Sequence, residues 1–245
     1  MKIVSLVPSI TELLADLGLD NEVQGITKFC IHPTHFRKTK IIVGGTKNLH
    51  LDRIRSIAPD LVIANKEENT KEQVEALQAE FRVYLTDINN FDDALSMIRE
   101  TGKLTMRERD AESLIDAIRK EFGILAGKRT ARACCKVAYL IWKDPLMAAG
   151  GHTYINDMLQ HSGLQNVFAS TDRYPRISVD DLKNAELDTL LLSSEPYPFA
   201  ERDIEEFSKD LPGIRIKLVD GEMFSWYGSR MLKAAKYFQE LIAEL

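Results

Sequence analysis

The chain has 245 residues, of which 44% are hydrophobic and 28% charged, with a net charge of −5. That size allows one large domain or two lobes of about 100 residues, and the acidic balance with scattered Lys and Arg argues against a nucleic-acid footprint or a polybasic membrane anchor. No apolar run reaches the roughly 18 residues of a membrane span, and three cysteines, two of them adjacent at Cys134-Cys135, are a poor basis for a disulfide framework.

The chain opens directly in a buried strand over residues 3–7, without the charged and apolar regions of an export signal. The spacing Ser9-x-x-Glu12 predicts a capped helix through Leu17, closed by Gly18. Short apolar runs at 23–27 and 41–43 read as strands, the second ending in Gly44-Gly45. A helix over 51–57, a turn at Pro59-Asp60 and a strand over 61–64 follow. A helix over 70–79, a strand over 82–85 and a helix opening at Asn90-x-x-Asp93 complete the first half.

Thr105-x-x-Glu108 then predicts the start of a long helix. Ala111, Leu114, Ile115, Ile118, Phe122 and Leu125 form its apolar stripe, and Gly127 its stop. At 1.5 Å per residue, about 20 residues make a rod of roughly 30 Å. Beyond it, strands are predicted over 136–142, 146–149, 189–192 and 216–219. Helices are predicted over 154–160, 179–184 and 200–209, and from 229 to the end.

The halves on either side of the rod repeat each other. Ile10-Thr11-Glu12-Leu13-Leu14 through Gly18-Leu19-Asp20-Asn21 parallels Ile155-Asn156-Asp157-Met158-Leu159 through Gly163-Leu164-Gln165-Asn166. Leu51-Asp52 through Asp60-Leu61-Val62-Ile63 parallels Val179-Asp180 through Asp188-Thr189-Leu190-Leu191, and Tyr84-Leu85-Thr86-Asp87 parallels Lys217-Leu218-Val219-Asp220. The expected fold is therefore α/β, with two Rossmann-like lobes of parallel sheet over 1–104 and 128–245 and a connecting helix over 105–127. Ligands of such sheets bind outside the carboxyl ends of the strands, which predicts a ligand cleft between the lobes.

The residues that follow the strands are then the candidate ligand wall. In the first lobe these include Pro8, Phe29, His32 and Asn65; in the second, Trp142, His152, Phe168, Tyr174, Tyr197, Trp226, Tyr227 and Arg230. The second set is rich in aromatics, which bind large flat ligands through area and stacking. Cys30-x-His32 with His152 fits structural zinc spacing poorly, so no protein-held metal is expected. Gly150-Gly151-His152-Thr153 resembles an anion-binding turn but lacks the lysine of a nucleotide loop. No nucleophile elbow, catalytic triad or paired acid–base carboxylates stand out, so no catalytic residue is assigned and no enzyme activity is expected.

Ser5-Leu6-x-Pro8-Ser9-x-Thr11-Glu12, Trp142-x-x-Pro145, Gly151-x-Thr153-Tyr154-Ile155-Asn156, Asn166-Val167-Phe168, Glu195-Pro196-Tyr197-Pro198-Phe199 and Ser225-Trp226-Tyr227-Gly228-x-Arg230 together resemble the helical-backbone metal receptors. These are the class III periplasmic binding proteins of ABC importers, and the chain most resembles their cobalamin-binding branch. The resemblance implies a monomeric receptor at the periplasm or cell surface. It would hold cobalamin or a related corrinoid, with haem and siderophores as near variants, as a transported ligand rather than a catalytic cofactor, and deliver it to an ABC permease dimer. Pocket positions of the family fall on Phe168, Tyr174 and Trp226; Asn65 stands where a pocket tryptophan is expected. Members dock through one acid per lobe, which the repeat places at Glu67 and Glu195, with Glu72 as a competitor. The alternatives are a cytoplasmic chelatase-like metal-tetrapyrrole enzyme using His32 and His152, and a ligand sensor.

Overall fold

Parallel strands covered by helices on both faces are apolar along most of their length, and the run Leu61–Asn65 shows it, apolar through Ala64 and buried at all five residues. The computed structural model describes residues 1–128 and 135–245; Cys134 lies outside them, and Cys30 is a buried free thiol. The chain divides into two compact units. The first comprises Met1–Ile88, Asp92–Ala117 and Tyr227–Arg230, and the second Asn89–Phe91, Ile118–Trp226 and Met231–Leu245.

In the first unit the strands are β1 (Ile3–Ser5), β2 (Val23–Ile26), β3 (Ile41–Ile42), β4 (Leu61–Asn65) and β5 (Val83–Thr86). They form one parallel sheet in the order β3-β2-β1-β4-β5, in which Ile3 lies between Val23 and Leu61. Its helices are α1 (Pro8–Asp16), α2 (Phe36–Thr39), α3 (Leu51–Ile57), α4 (Lys71–Gln78) and α5 (Phe91–Thr105). Helix α6 (Glu108–Gly127) begins in this unit and passes at residue 118 into the second.

Two predicted caps are corrected. Helix α1 starts at Pro8 rather than being capped by Ser9, because proline's fixed φ and missing N–H suit the first helical position. Thr105 does not cap α6 but ends α5, its hydroxyl donating back to the Thr101 carbonyl at 2.7 Å. Met106 then turns the chain in the left-handed region, with φ of 58°, and α6 opens at Glu108. Gly102 makes that corner possible: a Cβ there would sit 2.5 Å from the Ala111 side chain. The apolar stripe of α6 is otherwise as expected, with Ala111, Ile115, Ile118, Phe122 and Leu125 buried and Leu114 half-buried.

In the second unit the strands are β6 (Lys136–Trp142), β7 (Met147–Ala148), β8 (Gln165–Asn166), β9 (Thr189–Ser193) and β10 (Arg215–Val219). Its helices are α7 (Tyr154–His161), α8 (Val179–Asn184), α9 (Glu201–Asp210), α10 (Gly221–Ser225) and α11 (Met231–Glu244). Strands β10, β9 and β6 are parallel neighbours; β8 pairs in parallel with the start of β6 and β7 antiparallel with its end. The order β8-β6-β9-β10 repeats β2-β1-β4-β5 of the first unit, which is the internal repeat expressed as topology. The antiparallel β7 and the short α10 have no counterpart in the repeat. No helix among the described residues is long and apolar enough to cross a membrane.

Candidate functional site

At the carboxyl ends of the second unit's strands the aromatic residues assemble as an edge. Trp142 ends β6, is 39% exposed, and donates its indole N–H to the Asp144 carbonyl at 2.9 Å. Its ring meets Tyr197 nearly edge-on at a centroid distance of 5.8 Å, and Tyr197 meets Phe199 at 4.7 Å. Tyr197 is tied to β6 by its amide, which donates to the Ile141 carbonyl at 3.3 Å. An exposed indole is thereby held on a column of rings that leads into the core, a geometry suited to a flat, partly polar ligand. Phe168 follows β8, half-buried, its amide donating to Asn166 Oδ1 at 3.0 Å. Asn166 itself is fixed by donating to the Ala149 carbonyl and to Asn156 Oδ1, both at 2.9 Å. Tyr174 is half-buried with the Arg173 guanidinium 5.9 Å from its ring centre.

Trp226 lies at the same end of the sheet but is turned in, at 7% exposed. Its indole N–H donates to Glu195 Oε1 at 3.0 Å, and the Ser225 hydroxyl donates to the same oxygen. Burial pushes the Glu195 carboxyl above its ordinary value, against the Ser225 and Trp226 hydrogen bonds and with the nearby Glu222 and Asp220 carboxylates adding to the rise. The close packing needs Gly221, where a Cβ would sit 2.5 Å from both Glu195 Cγ and Ser193 Oγ.

The first unit offers a smaller set. Phe29, following β2, is 50% exposed and Ile31 36% exposed, and Lys28 Nζ lies 5.0 Å from the Phe29 ring centre. Pro8 and His32 are half-buried. Cys30 points the other way: its sulfur contacts the hydroxyls of Thr11 at 3.0 Å and Thr27 at 3.3 Å, and burial raises its pKa. Among the described residues no group of three or more His, Cys, Asp or Glu could hold a metal ion.

Several candidates are corrected by their surroundings. Asn65 is turned inward rather than toward solvent. It is 2% exposed and builds the loop after β4: its Oδ1 accepts from the amides of Glu67 at 2.8 Å and Glu68 at 3.2 Å, and its Nδ2 donates to Thr86 Oγ1 at 3.1 Å. Arg230 turns its guanidinium inward onto Glu12, Nε donating to Oε2 at 2.8 Å. Tyr227 is buried, at 7% exposed. The Gly150-Gly151 turn is no anion cradle, because its amides already donate to the carbonyls of Arg173 at 2.6 Å and Thr171 at 2.7 Å. A Cβ at either glycine would strike a backbone oxygen at 2.3 Å, so close chain approach explains the pair. His152 is exposed, and its Nδ1 lies 2.9 Å from Asp172 Oδ1. Of the acids read as docking residues, Glu67 and Glu72 are exposed, whereas Glu195 is half-buried.

A cavity of about 580 Å³ lined by Cys135, Asp188, Thr189, Gly213, Ile214, Arg215 and Leu245 lies at the amino ends of β6, β9 and β10. That is the wrong end for a ligand of a parallel sheet, and the exposed aromatics all stand at the other. Nothing in the sequence singled out Glu195 as a partner of Trp226, since the two are 31 residues apart and meet only through the β9–α10 packing.

Residues 3–213 match the family described as "Periplasmic binding protein". The vitamin B12-binding protein of Pectobacterium carotovorum is 23% identical over 96% of this chain and 86% of its own length. Among solved structures, the periplasmic vitamin B12 binding protein of Vibrio cholerae aligns with a TM-score of 0.84 at 17% identity, covering 99% of this chain and 97% of that one. The periplasmic haem binding protein of the same organism aligns with a TM-score of 0.85 at 20% identity, covering 99% and 98%.

Proposed function

Since the chain belongs to the periplasmic binding protein family, whose members bind and do not catalyse, we propose that it is the capture component of an ABC-type importer, and that its ligand is cobalamin or a related corrinoid. The observation that carries the ligand reading is the aromatic edge of Trp142 and Tyr197 at the carboxyl end of the second unit's sheet. A corrinoid offers a broad face for such rings and a periphery of amides, neutral groups that need no counter-charge. Haem and ferric siderophores remain the near variants. Haem propionates would call for cations at this edge: Arg173 stands beside Tyr174, but Lys143 is already held at 2.7 Å by both Asp203 and Glu206, and Glu195, Asp220 and Glu222 bring acid to the same end. The curated relatives named for vitamin B12 favour the same choice. The chelatase-like alternative is set aside, because the family is one of binding proteins; the protein works by holding its ligand and releasing it to a permease on the outer side of the membrane. Glu67 and Glu72 of the first unit, exposed on the loop after β4 and the first turn of α4, are the acids proposed to meet permease arginines.

Titration with cyanocobalamin, dicyanocobinamide and haem, followed by tryptophan fluorescence, tests the reading. Corrinoids absorb across the tryptophan emission band, and Trp142 and Trp226 are the only tryptophans, so saturable quenching by the corrinoids is expected. Quenching by haem alone would move the assignment to haem, and no response to any of the three would refute it.

A further inference from the structure

Glu195 is built into the second unit more firmly than a surface acid needs to be. The loop that carries it is clamped on three sides. The Ser194 amide donates to the Val219 carbonyl at 3.0 Å, and the Gly221 amide donates to Ser194 Oγ at 2.9 Å. Beneath it, the buried Tyr139 hydroxyl donates to Ser193 Oγ at 3.0 Å, and Ser193 Oγ donates to the Glu195 carbonyl at 2.5 Å. The carboxylate is left half-buried with one oxygen receiving two donors from the Ser225-Trp226 pair. An acid that docks on an arginine must instead present its oxygens to solvent, as Glu67 and Glu72 are placed to do.

We propose that Glu195 is a positioning residue behind the aromatic edge: by accepting from the Trp226 indole and the Ser225 hydroxyl it fixes the orientation of the buried Trp226 at the carboxyl end of the sheet, and it is not presented to a protein partner. The link to ligand affinity rests on the corrinoid reading; the link to the indole does not. Hydrogen bonds to a charged acceptor are stronger than neutral ones, so the orientation of Trp226 follows the ionisation of Glu195. The groups that bear on that ionisation are the Glu222 and Asp220 carboxylates at the start of α10, with the Tyr139 phenol of β6 behind Ser193 and the Tyr237 hydroxyl of α11, which accepts from the Asp220 amide at 3.0 Å.

The experiment uses a Trp142→Phe chain, in which Trp226 is the only tryptophan, and reads its near-ultraviolet circular dichroism and its emission. Glu195→Ala is expected to lose the Trp226 dichroic band, whereas Glu195→Gln, which keeps the acceptor oxygen, retains it. In the ionisable parent the emission titrates with pH; in Glu195→Gln it is flat. With Trp142 restored, Glu195→Ala binds cyanocobalamin more than about threefold more weakly, because the packing behind the aromatic edge is loosened, and Glu195→Gln stays within about threefold of the parent. If Glu195→Ala keeps both the band and the affinity while stimulation of transport is lost, Glu195 is a docking acid and the proposal is overturned. A pH titration persisting unchanged in Glu195→Gln assigns the signal to Asp220 or Glu222 and also overturns it. Should Glu195→Ala fail to fold by far-ultraviolet dichroism, that titration in Glu195→Gln decides alone. If the parent binds no corrinoid, the functional reading fails, while the dichroism and pH arms still decide the proposal.

Discussion

Glu12 and Arg230 are 218 positions apart in sequence, yet they form an ion pair with side chains only 8% and 5% exposed. Glu12 projects from α1, and Arg230 closes the Tyr227–Arg230 segment that the chain contributes to the first unit before returning to the second. Gly228 lets that segment lie close to α1: its φ is +98°, and a Cβ there would meet Leu13 Cβ at 3.3 Å. Replacing Glu12 by Gln or Ala deprives a buried guanidinium of its carboxylate, which typically costs about 3–5 kcal/mol. In a chain of this size each kcal/mol lowers the melting temperature by roughly 2–4 °C, so a fall of about 10 °C is expected. Removing both charges together, as Glu12→Leu with Arg230→Met, should restore most of the loss, since well-packed apolar replacements of buried pairs are often neutral or stabilising. Thermal and urea unfolding followed by far-ultraviolet dichroism would measure the double-mutant cycle. A single-mutant loss under about 1 kcal/mol, the scale of an exposed pair, would refute the reasoning, as would a double variant no better than the worse single one.

The stability of Glu195→Gln relative to the parent should rise with pH. A carboxyl whose folded pKa lies above its ordinary 4.5 gives stability that is fully present below the unfolded value and lost as pH rises through the folded one, whereas Gln has nothing to lose; urea midpoints from about pH 4 to 7 would show the two curves diverging. Trp142→Ala should weaken cyanocobalamin binding by roughly tenfold or more, as truncation of an aromatic anchor does, with the fold intact because the ring is 39% exposed; calorimetric titration checks it. Asn65→Ala should destabilise the protein by about 1–3 kcal/mol, because it removes the acceptor for the Glu67 and Glu68 amides. Charge reversal at Glu67 should lower permease stimulation in a salt-dependent way without changing cyanocobalamin affinity; unchanged stimulation would remove Glu67 from the interface.

The repeat was legible because period, turn residues and strand composition are local properties, and they carry directly into the matched strand orders of the two sheets. Register across long gaps is not local. Arg230 reads as a ligand-facing cation after Trp226-Tyr227-Gly228, and only the fold brings Glu12 to it. Gly150-Gly151 reads as an anion turn, yet the 169–173 segment that claims its amides lies about twenty residues on. Thr105-x-x-Glu108 has the right letters for a cap, but the preceding fifteen-residue helix α5 extends to Thr105 and claims its hydroxyl. The exposed Trp142 and the half-buried Tyr197 that meets it follow from the strand-end rule. Burial, which turns Trp226 and Tyr227 inward, could not be read the same way, since an aromatic residue looks alike in sequence on a core face and a ligand face.

The loop after β4 has a thermodynamic consequence. Asn65 and Asn69 hold it internally: Asn65 Oδ1 accepts two amides, the Asn65 amide donates to Asn69 Oδ1 at 2.9 Å, and Asn69 Nδ2 donates to the Thr46 carbonyl at 3.0 Å. Lys47 reaches across to the Glu67 carbonyl as well. A contact surface that must become ordered on association surrenders conformational freedom, on the order of 1–2 kcal/mol for each backbone residue fixed. Glu67 stands on backbone that is already fixed, so association there gives up side-chain rotamers and little else. If Glu67 meets a permease as proposed, that complex would form and part without a folding step in either direction.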